Sequence, residues 1–310
     1  KKIIMKKPFG ILLILNLFSF QSFAQTDPKL SVFSFNPLFY NPAFAGSGGG
    51  LSVIGIHSSQ FVGFEGAPHT QYLSTHGLWE ESNLGMGLDI YNDSFGSVKE
   101  TGINTNFSYF LRLSEKLRMS FGGKFGITNV RVDYSQLNIQ DPDEDIIQDG
   151  QFNLIQPNIG FGTYLYTDNF YFGISSPSIF SRDRYDPFES EIGTRNANFY
   201  LMSGMVIPLD RNVTLMPNVL IRRIKGAPMS TLVSMTADFY ENVFFGVNWE
   251  YRSSAGLLAG FRFAEQFKTG YAFDFPTHSL GRYTQGTHTL FLSYNLSRFK
   301  RASNLPCFFY

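Results

Sequence analysis

The sequence has little cysteine, little charge and no long apolar run. Its single cysteine, Cys307, excludes an intrachain disulfide framework. No apolar stretch approaches the roughly 20 residues that a membrane-spanning helix needs. Only 16% of the 310 residues are charged, in equal numbers of each sign, so a nucleic-acid-binding surface is not indicated. The chain is instead rich in aromatic residues and glycine, with 34 Phe, 16 Tyr and 29 Gly, and this composition favours an all-β architecture.

The first 24 residues have the organisation of a secretory signal peptide. A start with four lysines precedes an apolar run at residues 11–17 and a small-x-small cleavage site at residues 22–24. Gln25 follows the predicted cleavage site, where a bacterial lipoprotein would have the cysteine that is acylated. Removing four of the 25 basic residues gives a predicted mature net charge of 21 − 25 = −4. We therefore expect an exported protein whose start carries no lipid anchor.

Alternation of apolar and polar residues predicts β-strands along most of the remaining chain. In residues 84–93, Leu, Met, Leu and Ile alternate with Gly, Gly, Asp and Tyr, which is the period of two that a strand requires. Fourteen segments show such patterns, near residues 51–61, 71–79, 84–93, 103–112, 117–132, 155–166, 170–175, 198–207, 213–223, 232–239, 243–252, 255–264, 267–275 and 287–296.

The connections between the predicted strands alternate between short polar turns and longer loops. The short turns are near residues 80–83, 114–116, 167–169, 210–212, 241–242 and 265–266. This alternation predicts a closed antiparallel transmembrane β-barrel of about 14 strands in residues 51–296, with short periplasmic turns and longer external loops. A secreted soluble β-sandwich is the alternative, but it fits less well because the polar face carries mainly glycine, asparagine and isolated charges.

Residues 25–50 precede the first predicted strand and include the stretch FNPLFYNPAFAGSGGG. Proline lacks an N–H and biases the residue before it toward extended conformations, so an irregular, extended segment is predicted. Its aromatic side chains are costly to expose to water, so we expect them to pack in the lumen mouth or to bind a periplasmic partner. The candidate partner-binding residues are Phe35, Asn36, Pro37, Phe39, Tyr40, Asn41, Pro42 and Phe44.

Charged residues of both signs lie on the predicted lumen faces of several strands. They are interpreted either as a mutually paired network or as the lining of a pore. A 14-strand barrel is intermediate in width between filled barrels and open porins, so both interpretations stay open. The candidate network residues are Arg112, Lys124, Glu250, Arg252, Arg262 and Asp274.

No catalytic, metal or cofactor site is predicted. The aspartates Asp141, Asp143 and Asp145 have the spacing of a weak calcium loop, but Ile146 stands where an EF-hand requires glycine. A solvated external loop is therefore the preferred interpretation. The five histidines are not accompanied by a nucleophile-elbow motif or by metal-ligand spacing.

The segment DPKLSVFSFNPLFYNPAFAGS resembles the start of the PorP/SprF family of type IX secretion system outer-membrane proteins of the Bacteroidetes. Further similarity lies in SSQFVGFEGAPHTQYLSTHG, NIGFGTYLYTDNFYFGISSPSIF and GYAFDFPTHSLGRYTQGTHTLFLSYNL, so the resemblance covers most of the predicted mature chain. It implies an outer-membrane location and a non-enzymatic role.

The resemblance also implies what such a protein supports. The expected function is the export or surface attachment of adhesin-like cargo and, in some members, gliding motility. The implied partners are a periplasmic ring of the same machine and exported cargo with a C-terminal sorting domain, together with the lipid bilayer. An outer-membrane channel or hydrophobic small-molecule transporter is the alternative function. Residues 297–310 are expected to form a tail beyond the barrel.

Overall fold

A computed structural model describes residues 31–133, 151–179, 197–224 and 228–296. These residues form one antiparallel sheet, and a two-residue strand, Ile207–Pro208, extends the eighth strand along the ninth. The fourteen main strands are β1 Leu51–Ser59, β2 His69–Trp79, β3 Leu84–Phe95, β4 Val98–Arg112, β5 Arg118–Asp133, β6 Gln151–Tyr166, β7 Phe170–Ser176, β8 Asn198–Met205, β9 Val213–Ile224, β10 Ser230–Phe239, β11 Val243–Glu250, β12 Ser254–Phe263, β13 Phe267–Pro276 and β14 Thr287–Leu296.

The sheet closes on itself because the last strand pairs with the first. The β1–β14 register runs from Leu51 opposite Leu296 to Ser59 opposite His288, and every other main strand pairs with its two sequence neighbours. Closure removes the sheet edges, whose unpaired backbone groups would be costly in lipid. The predicted barrel and its strand count are confirmed, and so is the general arrangement of short turns at one end and longer loops at the other. Two connections at the longer-loop end are themselves short, since only residues 96–97 join β3 to β4 and only residues 251–253 join β11 to β12.

The outer face of the barrel is apolar, as a lipid-facing surface must be. On β3 the alternate residues Leu84, Met86, Leu88 and Ile90 are exposed, whereas Asp89 between them is buried in the lumen. Aromatic side chains also lie on the outer surface near both ends, with Trp79, Tyr109 and Tyr240 near the short turns and Trp249 and Tyr251 near the longer loops. Such aromatic belts are typical of membrane interfaces. Among the described residues, no helix is long and apolar enough to cross a membrane.

The segment ahead of β1 folds into three short helical turns inside the barrel. These are a 3₁₀ turn at Phe33–Phe35, one α-helical turn at Pro37–Tyr40 and a second 3₁₀ turn at Pro42–Phe44. The prediction of an extended segment is therefore wrong. The two asparagines before the prolines have φ near −137° and −138°, but each proline then starts a turn, since its fixed φ suits the first helical position. We call residues 31–47 the plug.

Candidate functional site

The plug lies across the lumen and contacts opposite walls of the barrel. Its residues Phe33, Leu38, Tyr40 and Phe44 are at most 4% exposed and pack on a cluster formed by β6 to β9. Val32, Phe35 and Phe39 pack on a second cluster, formed by residues of β1, β2 and β11 to β14. The wall residues are Tyr164, Tyr166, Tyr171, Tyr200, Met202 and Leu220 in the first cluster and Ile54, Ile56, Tyr72, Phe244, Leu258, Ala272 and Phe291 in the second.

The aromatic side chains of the plug meet aromatic side chains of the wall at favourable angles. Phe44 stands edge-on to Tyr164, with ring centroids 5.5 Å apart and an interplanar angle of 90°. Phe35 lies between two wall rings, with centroids 5.2 Å from Phe244 and 4.7 Å from Phe291. Each such pair contributes about 0.5–1.5 kcal/mol beyond the burial of its area. The aromatic residues predicted to bind a partner are thus packed inside the lumen in this structure.

Polar groups of the wall satisfy the backbone of the plug. Three serines donate to plug carbonyl oxygens: Ser108 to Ala45 at 2.6 Å, Ser120 to Ala43 at 2.6 Å and Ser175 to Tyr40 at 2.7 Å. In one contact the plug is the donor: the N–H of Gly46 donates to Nδ1 of the wall residue His76 at 3.1 Å. Helical turns this short leave most of their backbone groups unpaired, and buried unpaired groups are costly. The wall therefore supplies the hydrogen bonds that the plug cannot make itself.

Asn41 has a double role at the junction of the last two turns. Its Oδ1 accepts from the Ala43 N–H at 3.0 Å and so caps the turn that begins at Pro42. Its Nδ2 donates to the Thr163 carbonyl oxygen on β6 at 2.9 Å. Asn36 makes no equivalent side-chain cap ahead of Pro37. The two Asn-Pro steps therefore share φ at their asparagines but differ in ψ, which is 64° at Asn36 and 109° at Asn41, and in how the two side chains are held.

Glycines on the lumen face make room for the plug. A Cβ added at Gly85 would overlap the Ala45 carbonyl, one at Gly122 would overlap the Ala43 backbone, and one at Gly162 would overlap the Asn41 side chain. Gly122 and Gly162 are direct cross-strand partners on β5 and β6. The plug therefore packs directly against the backbone of the wall at Gly85, Gly122 and Gly162. We call these three residues the glycine lane.

A buried ion pair lies beside the plug. Nζ of Lys124 is 3.5 Å from Oδ2 of Asp89, and both side chains are at most 4% exposed. Asp89 also accepts hydrogen bonds from Nδ2 of Asn104 at 2.7 Å and of Asn106 at 2.6 Å, while Lys124 donates to the Phe39 carbonyl of the plug at 3.4 Å. This cluster stabilises two buried charges and joins the wall to the plug.

The other predicted network residues are divided between the lumen and the rims. Asp274 and Glu250 are buried, and they accept hydrogen bonds from Ser31 of the plug and from Ser230, respectively. Arg262 pairs at 3.8 Å with the exposed Glu241 near the short turns.

Arg112 and Arg252, which were predicted as lumen network residues, lie outside the buried part of the lumen. Both are exposed at strand ends. Arg112 is the last residue of β4 and Arg252 lies in a turn with φ +56°, so correct alternation does not bring either residue into the buried lumen. The calcium candidates Asp141, Asp143 and Asp145 lie outside the described residues, and within the described ranges no three potential ligands cluster around a metal position.

These features define a class of protein, an outer-membrane β-barrel whose lumen holds a segment of its own chain. The family model described as "Type IX secretion system membrane protein PorP/SprF" matches residues 22–294, and the chain belongs to this family. The resemblance noted in the sequence is thereby confirmed.

Solved barrels with low sequence identity are also similar to this chain. Omp33 of Acinetobacter baumannii is 8% identical, with 80% of this chain and 98% of Omp33 covered and a TM-score of 0.48. The TodX deltaS2S3 mutant, a monoaromatic hydrocarbon channel, is 10% identical, with 83% and 93% covered and a TM-score of 0.48. A Pseudomonas aeruginosa FadL homologue is 10% identical, with 87% and 95% covered and a TM-score of 0.43. No curated protein sequence matches the chain.

Proposed function

We propose that this protein is a non-enzymatic outer-membrane component of the type IX secretion system that supports export or surface attachment of adhesin-like cargo. The observation that carries the proposal is membership of the PorP/SprF family together with a lumen that contains the plug. A barrel filled in this way serves as an anchored docking platform rather than as the passage for cargo. Its partners would be ring proteins of the same system and cargo with a C-terminal sorting domain, and gliding motility would depend on it where the cargo is a motility adhesin.

Two surfaces can serve as the docking site. The short turns at the periplasmic end are accessible as the barrel stands, whereas the plug residues Phe35 to Phe44 would reach a partner only after leaving the lumen, because their aromatic side chains are packed against the wall. The channel alternative requires a passage beside the plug or displacement of the plug from the lumen. Removal of the plug therefore separates these possibilities.

The test compares the intact protein with a variant lacking residues 27–46 in the native host. Surface proteins are identified by mass spectrometry of intact cells, and partners are recovered from membranes in mild detergent. The proposal predicts that a strain without the protein loses specific cargo with sorting domains from its surface and that the intact protein restores it. If the variant without the plug no longer recovers ring or cargo partners, the plug is the docking element. If the partners stay bound, the short turns are the docking element.

The control variant is Phe245→Ala, which truncates an exposed side chain on the lipid face of β11, on the opposite side of the sheet from the plug. Its partners and cargo should match those of the intact protein. An unchanged surface proteome in the strain without the protein, together with ion conductance by the purified intact barrel in planar bilayers, would overturn the proposal in favour of a channel.

A further inference from the structure

The outer face of β4 and β5 changes from apolar to basic toward the longer loops. Ile103 and Ile127 are cross-strand partners at the end of the apolar band, followed by Thr101 opposite Asn129 and then by Lys99 opposite Arg131. Outward residues from Ile103 to Leu111 cover about the ten residues that cross the hydrocarbon core. Lys99 and Arg131 therefore lie just beyond the hydrocarbon, at head-group level.

This basic pair belongs to a continuous polar row across five strands. The row consists of Ser59, His69, Ser94, Lys99 and Arg131, each a direct cross-strand partner of the next. Directly paired residues share a face of the sheet, so all five point outward. His69, Lys99 and Arg131 are exposed, and within the described residues neither Lys99 nor Arg131 has a hydrogen bond or an ion pair.

Among the residues that the structure describes, the acidic side chains beside the row do not neutralise it. Asp93 and Glu100, which adjoin the row in sequence, have the opposite parity and face the lumen, where Asp93 accepts from Thr70 at 2.6 Å and Glu100 from Tyr91 at 2.7 Å. Asp133 lies on the outer face two residues beyond Arg131, farther from the apolar band, and already has an interaction partner. The outward side of the row is therefore cationic.

An apolar groove lies on the same outer wall, on the membrane side of the basic pair. It has a volume of about 650 Å³, and at its floor a Cβ added to Gly55 would meet no atom within 4 Å. Its apolar lining includes Leu73, Ile90, Leu290 and Leu292, and its polar edge includes His57, Gln71, Asn92 and Thr101. The groove is centred on β1 and β2 and reaches β4 at Thr101, two residues from Lys99, so its polar edge leads along the wall from the apolar lining to the two cations.

We propose that this surface binds a phosphorylated glycolipid of the outer leaflet, of the lipid A class. One acyl chain lies in the groove over Gly55, sugar hydroxyls contact the polar edge, and a phosphate lies between Lys99 and Arg131. Guanidinium groups bind phosphate through paired, charge-assisted hydrogen bonds, and basic clusters at membrane surfaces recognise anionic head groups. The amphipathic order of the site selects a lipid over a soluble anion, which would leave the groove without an occupant.

The test measures how tightly lipid A stays bound to the full-length barrel, by native mass spectrometry and by exchange with lipid A vesicles. Three variants are compared with the intact protein: Lys99→Gln with Arg131→Gln, Gly55→Leu, and a control with Lys116→Gln and Arg211→Gln, which removes two exposed cations near the short turns. Heat-modifiable mobility on gels verifies that each variant is folded.

The proposal predicts a different binding defect for loss of the basic pair and for filling of the groove. Loss of Lys99 and Arg131 should weaken retention of lipid A at least about tenfold and remove its sensitivity to salt, because the ionic contact is gone. The Gly55→Leu variant should lose affinity for phosphorylated and dephosphorylated lipid A alike, because the leucine fills the groove. The control should bind as the intact protein does.

Two results would overturn the proposal. One is equal retention of lipid A by all folded variants. The other is equal binding by the intact protein of phosphatidylglycerol vesicles or of dephosphorylated lipid A, because the site would then recognise neither the glycolipid nor its phosphate.

Discussion

Asn41 of the plug occupies the space that a side chain at Gly162 would fill. A Cβ on Gly162 would overlap Oδ1 of Asn41, while Nδ2 of the same asparagine donates to the carbonyl of the next wall residue, Thr163, at 2.9 Å. The wall glycine and the plug asparagine therefore form a matched pair. The absence of a side chain at Gly162 leaves the space in which the Asn41 side chain makes its hydrogen bonds.

Replacing Gly162 should release the plug without unfolding the barrel. In Gly162→Val the new side chain collides with Asn41, whereas valine favours the strand itself. We expect faster proteolysis of residues 31–47, measured by mass spectrometry of the fragments, with heat-modifiable mobility unchanged. Gly55→Ala is the matched control, since a Cβ there meets nothing within 4 Å. If the plug is equally resistant to protease in both variants, the glycine lane is not its docking surface.

Truncating Phe44 should weaken the plug through lost packing. Phe44→Ala removes the edge-on contact with Tyr164 and the contact with His76, whose ring centroid is 5.2 Å away. Loss of a buried phenylalanine side chain costs about 3–5 kcal/mol, here from the free energy of plug docking. Hydrogen exchange of the plug amides should accelerate, while the β-strand amides stay protected. The lipid-facing variant Phe245→Ala should leave the exchange of the plug unchanged, and a similar acceleration in both would refute the assignment.

The wall serines should act together on the plug backbone. Each of Ser108→Ala, Ser120→Ala and Ser175→Ala leaves a buried plug carbonyl without its wall donor, at about 1–3 kcal/mol per site. The triple variant should expose the plug to protease more than any single variant. Ser203→Ala is the control, because Ser203 donates to the Tyr171 carbonyl at 2.9 Å within the wall. A triple variant as protected as the control would show that packing alone holds the plug.

Breaking the Lys124–Asp89 pair should destabilise the whole barrel. Lys124→Ala leaves the Asp89 carboxylate buried without its cation, a change that costs about 3–5 kcal/mol in buried pairs. The substitution Glu241→Gln breaks an exposed ion pair and should lower the free energy of unfolding by only about 0–1 kcal/mol, because solvent screens the Arg262–Glu241 contact. Urea unfolding in lipid vesicles measures both free energies of unfolding. Equal effects of the two substitutions would contradict the burial of the Lys124–Asp89 pair.

The barrel was predictable from the sequence because its signal is local. Alternating residues such as Leu84 to Ile90 mark a strand and its lipid face without knowledge of any other strand. The plug was not predictable in this way. Proline at Pro37 and Pro42 suits both an extended segment and the first residue of a helical turn, and only the wall groups that pair the plug backbone decide between them.

The glycine lane also escaped sequence reasoning. The three glycines, Gly85, Gly122 and Gly162, are far apart in sequence. Each one taken alone indicates only a weak position in a strand. Barrel closure and the β5–β6 register bring them onto one lumen surface. Arg112 shows a different limit, since correct alternation does not bury a residue at the end of a strand. Arg252 lies in a turn beyond the end of β11 at Glu250, although the predicted strand extended to residue 252.

The seam between the first and last strands sets the order in which this protein can assemble. Leu51 and Leu296 meet only after the entire barrel sequence has been made, and a finished cylinder admits no entry through its side. Phe35 contacts Phe244 on β11 and Phe291 on β14, so the plug already joins strands that approach the seam. The contact of Phe35 with Phe291 forms only once β14 is in place, so complete docking of the plug accompanies the joining of the last strand to the first.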